Sequence, residues 1–393
     1  MTKELHYDTV IVGAGASGLY AALKLPAEQN ILLICKEDLE SCDSMLAQGG
    51  ICVLRDENDY DAFFEDTLKA GHYENRRESV DIMIRNSRKV IDDLLELGVD
   101  FDKEEDGSLK YTKEGAHSKP RICFHQDITG KEITETLLQR VKECPNVTIW
   151  DHTVMEDLLV EENTCHGILA KAADGNPLQI YTTDTILATG GIGGLYEHST
   201  NFPSLTGDGL KAAEKHGVAL EHLDYVQIHP TSLYRDEPGR HFLISESARG
   251  EGAILLNSKG ERFVDELLPR DKVSQAIHAE MEKEGSKHVW LSFAPVPAED
   301  IQSHFPNIYK TCLEAGYDIT KEPVPVVPAQ HYFMGGIHVD GDSKTTMEHL
   351  YAVGETSCNG VHGKNRLASN SLLECLVFAE RAAQKIAAGK EGN

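Results

Sequence analysis

Between Tyr111 and Arg121 the chain reads YTKEGAHSKPR, which gathers Glu114, His117, Lys119 and Arg121 around one glycine and one proline. Nothing in it is periodic, so it reads as a loop. One carboxylate among so many cations is either a solvated turn or a device that sorts a charged ligand by whether it carries an amine. A second stretch with chemical content opens the chain. In YDTVIVGAGASGLYAALKL a buried strand, Thr9 to Val12, runs through Gly13, Gly15 and Gly18 into a helix. The first glycine makes the tight turn, the second lets a pyrophosphate approach the backbone, and the third packs helix on strand. The helix N-terminus then offers N–H groups and a positive dipole end to phosphates. Gly13, Ala14, Gly15, Ala16, Ser17 and Gly18 are therefore expected at a dinucleotide cofactor.

The elements that must position these residues follow from hydrophobic period and punctuation. A second strand spans Asn30 to Cys35. It ends in Cys35-Lys36, with no acidic residue at the usual ribose position, which argues against NAD and sets Lys36 near a ribose or phosphate. Gln48, Gly49 and Gly50 precede an apolar run, and such a pair permits close backbone approach to a planar ligand. Residues 60–100 read as two helices, the second stopping at Gly98. A further helix follows in GKEITETLLQRVKEC, and NVTIWDHTVMEDLLV is strand-rich. The stretch PLQIYTTDTILATGGIGG reads as a buried strand running into Thr189 and Gly190, and TGDG sets Asp208 before another helix. From Leu220 to about His338 prolines thicken and elements shorten, as in an inserted second domain. The first pattern then returns in LYAVGE, a glycine-rich loop and a long helix from near Asn370, where Ser369-Asn370-Ser371 reads as a cap.

A net charge of −26 argues against nucleic acid and anionic membrane as partners. A small anion remains admissible through a local cationic pocket. Nine cysteines show neither a CxxC pair nor zinc-like spacing, and no apolar run approaches a bilayer span. The expectation is a reduced, cytoplasmic protein whose cysteines are small buried residues.

Ten short stretches in this order — GAGASG, AQGGI, ATGG, TGDG, QIHPT, RGEGAILLNSKGERF, PRD, HYFMGGIHVD, LYAVGE and ASNSLLE — resemble the fumarate reductase/succinate dehydrogenase flavoprotein family. Within it, TKEGAHS, EPVPVVPAQHY and HGKNRLASNSLLECL resemble the aspartate-oxidising branch. The resemblance implies an α/β fold: a discontinuous Rossmann-like FAD-binding domain, residues 1–221 and 339–393, with an inserted α+β capping domain, residues 222–338. It implies FAD as cofactor. Asp43 stands where the succinate enzymes carry the histidine of covalent flavin attachment, so the FAD is expected to be non-covalent. Full-length members continue into a C-terminal helical domain, so the chain is expected to be a short or truncated form.

The resemblance also assigns roles. His229, His331 and Arg366 fall on the substrate carboxylates, and Arg270 takes the acid/base position. Ser245 and Glu246 complete the pocket, with Arg249 nearby. Asp43, Ser44, Gln48, Gly49, Gly50, Thr189, Gly190 and Asp208 fall along the cofactor, Glu355 on its ribityl side, and Ser371 and Leu372 near the flavin ring. Glu114 has no counterpart in the succinate enzymes and would attract an ammonium group. The implied reaction is oxidation of L-aspartate to iminoaspartate for quinolinate and NAD synthesis, with oxygen or fumarate as acceptor and quinolinate synthase as candidate partner. The alternatives are a soluble fumarate reductase or succinate oxidase of the same fold, or a flavin-holding protein without turnover. Taken singly, each histidine and arginine has a structural reading: His331 as a core histidine, Arg366 as a partner of Glu374. For His117, His338, His349 and His362 the structural reading is kept.

Overall fold

The computed structural model describes residues 3–237 and 239–391. The glycine fingerprint forms as its spacing demands. Strand Lys3–Val12 pairs in parallel with Ile31–Ile34 on one side and Pro177–Leu187 on the other. Val147–Trp150 extends the sheet beyond Ile31–Ile34, and Leu350–Ala352 pairs in parallel with the C-terminal end of Pro177–Leu187. The same long strand pairs at its N-terminal end with the antiparallel meander Val154–Glu161 and Thr164–Lys171. Chain segments more than 300 residues apart in sequence thus share one seven-stranded sheet.

Helix Ala16–Lys24 lies on this sheet, and the closing helix Asn370–Glu391 packs against it and against Arg77–Leu97. Leu373, Leu376 and Phe378 of the closing helix are fully buried. Each contributes roughly 1.5–3 kcal/mol of transfer free energy. Tyr20 and Lys24 add polar ties to Asp93, at 2.8 and 2.5 Å. The helix ending before Gly98 stops in a left-handed turn at that glycine, φ 103°.

A second, six-stranded sheet is built mainly from Val226–Leu233, Ile254–Leu256, Val289–Ser292 and Val324–Phe333, with a core of its own running from Leu233 to Val326. Two short strands from elsewhere, His198–Ser199 and Gly239–Arg240, join its edge. The chain enters and leaves this region side by side: Leu220–Glu221 pairs antiparallel with Gly336–His338, which pairs in turn with Ser357–Cys358. No helix among the described residues is long and apolar enough to cross a membrane.

Two expectations need correction. Cys35, Cys42 and Cys144 are only partly buried, because they sit at a cavity wall or a helix end rather than in a core. Ser369 does not cap the closing helix; its φ of 61° turns its hydroxyl away, toward Glu114.

The close packing at the fingerprint can be tested. A Cβ on Gly18 would stand 2.0 Å from the Gly13 carbonyl oxygen. Gly18→Ala is expected to lower stability by about 1–3 kcal/mol, read as a drop in urea midpoint without a change in slope.

Candidate active site

One cavity of about 560 Å³ runs from the fingerprint to the second sheet. Every residue assigned in the sequence to the cofactor or to the substrate pocket lines it except Gly18, which packs behind the turn, and Arg249, which lies behind the pocket. At one end Gly13–Ser17, Lys36 and Asp208 form the wall. The Ala16 N–H is held by the Ser44 hydroxyl at 3.1 Å, and Lys36 pairs with Asp208 at 2.5 Å. Thr189 bonds Thr356 at 2.9 Å, and Gly190 beside it has φ +69°. Along the middle lie two carboxyls with few partners. Asp43 Oδ1 accepts from the Phe202 N–H at 2.9 Å, and Oδ2 is buried without a partner. Glu355 Oε1 accepts from the Phe333 N–H at 2.9 Å. Burial raises Asp43 to about 7, against partial relief from the Phe202 N–H and Arg240. Burial, then the charge of Asp43, raises Glu355 to about 8. Gln48 donates to the Leu243 carbonyl at 2.7 Å and leaves its Oε1 buried and unpartnered. A long cavity with a helix N-terminus at one end and unsatisfied polar atoms along its wall fits a dinucleotide with an aromatic headgroup.

The other end is cationic. Arg270 is the first residue of helix Arg270–Glu284, where the helix dipole disfavours a cation. It is held there by Glu246, Nε to Oε2 at 2.6 Å, and by Gln227, Nη1 to Oε1 at 2.9 Å. Arg366 Nε reaches the same Gln227 oxygen at 3.3 Å, its Nη1 bonds Ser371, and its guanidinium stacks 4.2 Å from the Tyr332 ring centroid. No carboxylate among the described residues pairs with Arg366, and Glu374 instead accepts from Asn359. Burial, then the nearby Arg270 charge, lowers Arg366 to about 10. Arg249 is buried behind, 3.3 Å from Glu246. Burial would raise the Glu246 carboxyl, but Arg270 and Arg249 bring it below its ordinary value.

His229 is fully buried. Its Nδ1 accepts from the Thr231 N–H at 3.2 Å, so the proton sits on Nε2, which is buried without a partner among the described residues, and the ring lines the cavity. His331 meets it edge to face at 5.0 Å and bonds Thr200 through Nδ1 at 2.7 Å. Burial and the Arg270 charge keep both imidazoles neutral, well below their ordinary pKa.

Glu114 is 2% exposed and aimed into the same end. Ser247 donates to Oε1 at 2.9 Å and Ser369 to Oε2 at 2.5 Å. Burial, then the Glu246 charge, raises its pKa, while these two hydroxyls and Arg270 oppose the rise. The cations of its loop do not surround it. Arg121 is buried and forks onto Asp59, and His117 turns inward to a backbone carbonyl. The Gly49-Gly50 pair also differs from expectation. The space a side chain would take is filled by Glu114, 2.5 Å from a Cβ on Gly49, and by Ile122 and Cys123 behind Gly50. The pair admits a carboxylate as much as a ligand. Gly115 likewise makes room for Glu246, whose Oε1 lies 2.5 Å from the Cβ position.

Three residues that complete the site were missed in the sequence: Gln227, Ser247 and Ser369. Gln227 precedes QIHPT's histidine by two and carries no motif of its own. Ser247 stands beside Ser245-Glu246, but only the fold directs its hydroxyl at a loop 133 positions away. The four histidines read as structural all lie outside the cavity lining. His117 and His362 are buried outside the cavity lining, His338 pairs with Glu221, and His349 with Asp184.

Comparison with known proteins agrees with this geometry. The family described as FAD binding domain matches residues 8–372. The L-aspartate oxidase of Clostridium perfringens is 52% identical over 380 residues, covering 96% of this chain and 86% of the relative. That of Acinetobacter baylyi is 40% identical, covering 97% and 73%. Among solved structures, a mutant E. coli quinol fumarate reductase superposes with a TM-score of 0.92 at 32% identity, covering all of this chain and 72% of its own. A Mycobacterium smegmatis succinate dehydrogenase chain (Sdh1 in complex with UQ1) gives 0.84 at 31%, with 100% and 70% covered. At this identity, over nearly its whole length, the chain belongs to the family of FAD-binding flavoproteins that includes the L-aspartate oxidases.

Proposed function

We propose that the protein oxidises L-aspartate to iminoaspartate with FAD, as the name of its relatives describes. The observation that carries this reading is that Arg366, a buried guanidinium without a carboxylate partner among the described residues, and Glu114, a buried carboxylate, line the same cavity. A buried cation lacking an anion is costly until a ligand supplies one. The Nε2–H of His229 adds a neutral donor for a carboxylate oxygen, and His331 flanks it. Glu114 then meets the one group that aspartate has and succinate lacks. With succinate bound, its charge stays unpaired, a penalty on the order of 2–4 kcal/mol. Fumarate reductase or succinate oxidation is the second reading, favoured by the close superposition on those enzymes.

FAD, when bound, would supply the hydride acceptor. Gly13 to Ser17 and Lys36 would hold its phosphate and ribose end, and Gln48, Glu355, Ser371 and Leu372 would flank its ring end. Asp43 at the cavity wall offers a carboxyl rather than an imidazole, which supports non-covalent binding. Arg366, His229 and His331 hold the carboxylates, which fixes the substrate against slippage. As hydride leaves Cα, the substrate ammonium must lose a proton. Arg270 lies at that end, and because a guanidinium only donates, it accepts this proton after releasing one of its own to the Glu246 carboxylate, whose Oε2 stands 2.6 Å away. In this reading residues 1–221 and 339–393 bind FAD and residues 222–338 cap it; the separate second sheet and the paired strands at 220–221 and 336–338 support the division, while His198–Ser199 crosses it to join the second sheet. Oxygen or fumarate accepts the electrons. The product feeds quinolinate and NAD synthesis, with quinolinate synthase as downstream partner, in the cytoplasm.

Glu114→Gln is expected to raise the KM for L-aspartate by about 30-fold or more while fumarate reduction changes less than about threefold. Equal losses on both would remove the amine-sorting role. Arg270→Leu should keep FAD bound and lower turnover by at least about 10²-fold; near-normal turnover would sink the proton assignment. A third expectation concerns pH. Asp43 and Glu355 bind protons more tightly in the fold than in the unfolded chain. Their contribution is full below about pH 4 and is lost as pH rises through about 7 and 8. The FAD-free protein should therefore lose stability across this window, and Glu355→Gln should flatten the loss in denaturant titrations.

A further inference from the structure

Glu114 is useful as an amine acceptor only while it stays ionised and fixed in place. Its two hydroxyl donors come from different parts of the chain. Ser247 lies on the short helix Glu246–Gly250, which Ser245 caps. Ser369 lies on the segment that also carries Arg366. It sits in a left-handed turn, φ 61°, a conformation that costs a non-glycine residue roughly 1–3 kcal/mol unless its surroundings enforce it. Something must hold that turn.

The holder comes from the Glu114 loop itself. Thr112 and Ile122 close the loop with paired backbone bonds at 3.0 and 3.2 Å, and the His117 N–H returns to the Glu114 carbonyl at 3.3 Å. Arg121 is fully buried. It forks onto Asp59 with two bonds of 2.9 Å and gives Nη1 to Asp66 at 2.7 Å. The same Nη1 reaches His117 Nδ1 at 3.1 Å. A guanidinium can only donate, so Nδ1 is the acceptor and the imidazole proton sits on Nε2. Nε2 donates it to the Ala368 carbonyl at 3.0 Å. The next residue, Ser369, has its own carbonyl held by the Cys52 N–H at 3.0 Å. One chain of bonds thus runs from Asp59 and Asp66 through Arg121 and His117 to the turn that presents Ser369 to Glu114.

We propose that His117, which lies outside the cavity, is a positioning residue that sets selectivity for the amine-bearing dicarboxylate by holding Ser369 against Glu114. The inference rests on the reading of Glu114 given above. Without this hold, the buried carboxylate loses one of two donors, takes up a proton more readily and ceases to attract an ammonium group. Arg366 keeps its separate anchors on Gln227 and Ser371, so the grip on substrate carboxylates survives.

The test compares FAD-loaded full-length variants by two constants from one assay, the KM for L-aspartate and the Ki of succinate. His117→Leu is expected to raise the ratio of KM to Ki by about tenfold, with kcat changed less than about threefold. His117→Gln, whose amide can both accept from Arg121 and donate to Ala368, should recover most of that ratio. If both constants rise together in His117→Leu, or if the glutamine variant behaves like the leucine one, the residue is merely structural and the proposal falls. Should the leucine variant not fold, Asp66→Asn loosens Arg121 at a partly exposed site; a smaller shift of the same sign supports the proposal and an unchanged ratio overturns it. Glu114→Gln separates the two readings. A ratio unmoved by Glu114→Gln overturns the amine-sorting role and this inference with it. A ratio moved by Glu114→Gln but not by His117→Leu overturns the positioning role alone.

Discussion

Like charges packed out of water repel, and Arg270 and Arg366 end buried at one cavity with Arg249 buried behind them. Most of the site follows from how that repulsion is managed. Glu246 sits between Arg249 and Arg270 and offsets both. The Gln227 oxygen lies between Arg270 and Arg366 and accepts from each, a neutral dipole where a second carboxylate would cancel the field. One cation is left without an anion. Such a deficit favours an anionic ligand even in a protein whose net charge is −26, because close desolvated contacts outweigh a screened global field.

Glu114 is the counterweight. It adds a negative charge to the cationic end of the cavity, and Gly49 and Gly115 clear the space that lets it and Glu246 approach. The two sheets meet at this point. The loop holding Glu114 belongs with the first sheet, Ser247 with the second, and Ser369 with the segment leading into the closing helix. A single carboxylate therefore ties the body, the inserted region and the C-terminal segment, so the geometry that selects a ligand also locks the parts together.

The sequence was legible where structure is local. The fingerprint turn, the helix stopping at Gly98 and the return of the first pattern after His338 all depend on neighbouring residues, and all form as read. The residues at the cationic end of the cavity were legible only through family resemblance, since His229, Arg270, His331 and Arg366 carry no shared spacing. Arg270 breaks a local rule by placing a cation at a helix N-terminus, and such conflicts concentrate at functional sites. Gln227, Ser247 and Ser369 were illegible as site residues because their roles arise from contacts 43 to 255 positions away. The Ser369 turn was misread for the same reason: serine before asparagine is a good helix cap until a distant carboxylate claims the hydroxyl.

The central claim is that a buried carboxylate makes this dicarboxylate site choose an amine. Anaerobic mixing of the FAD-loaded protein with L-aspartate and with succinate, in separate cuvettes, tests it most directly through the flavin absorbance. The account predicts bleaching by L-aspartate and none by succinate on the same timescale. Bleaching by succinate at a comparable rate would contradict it.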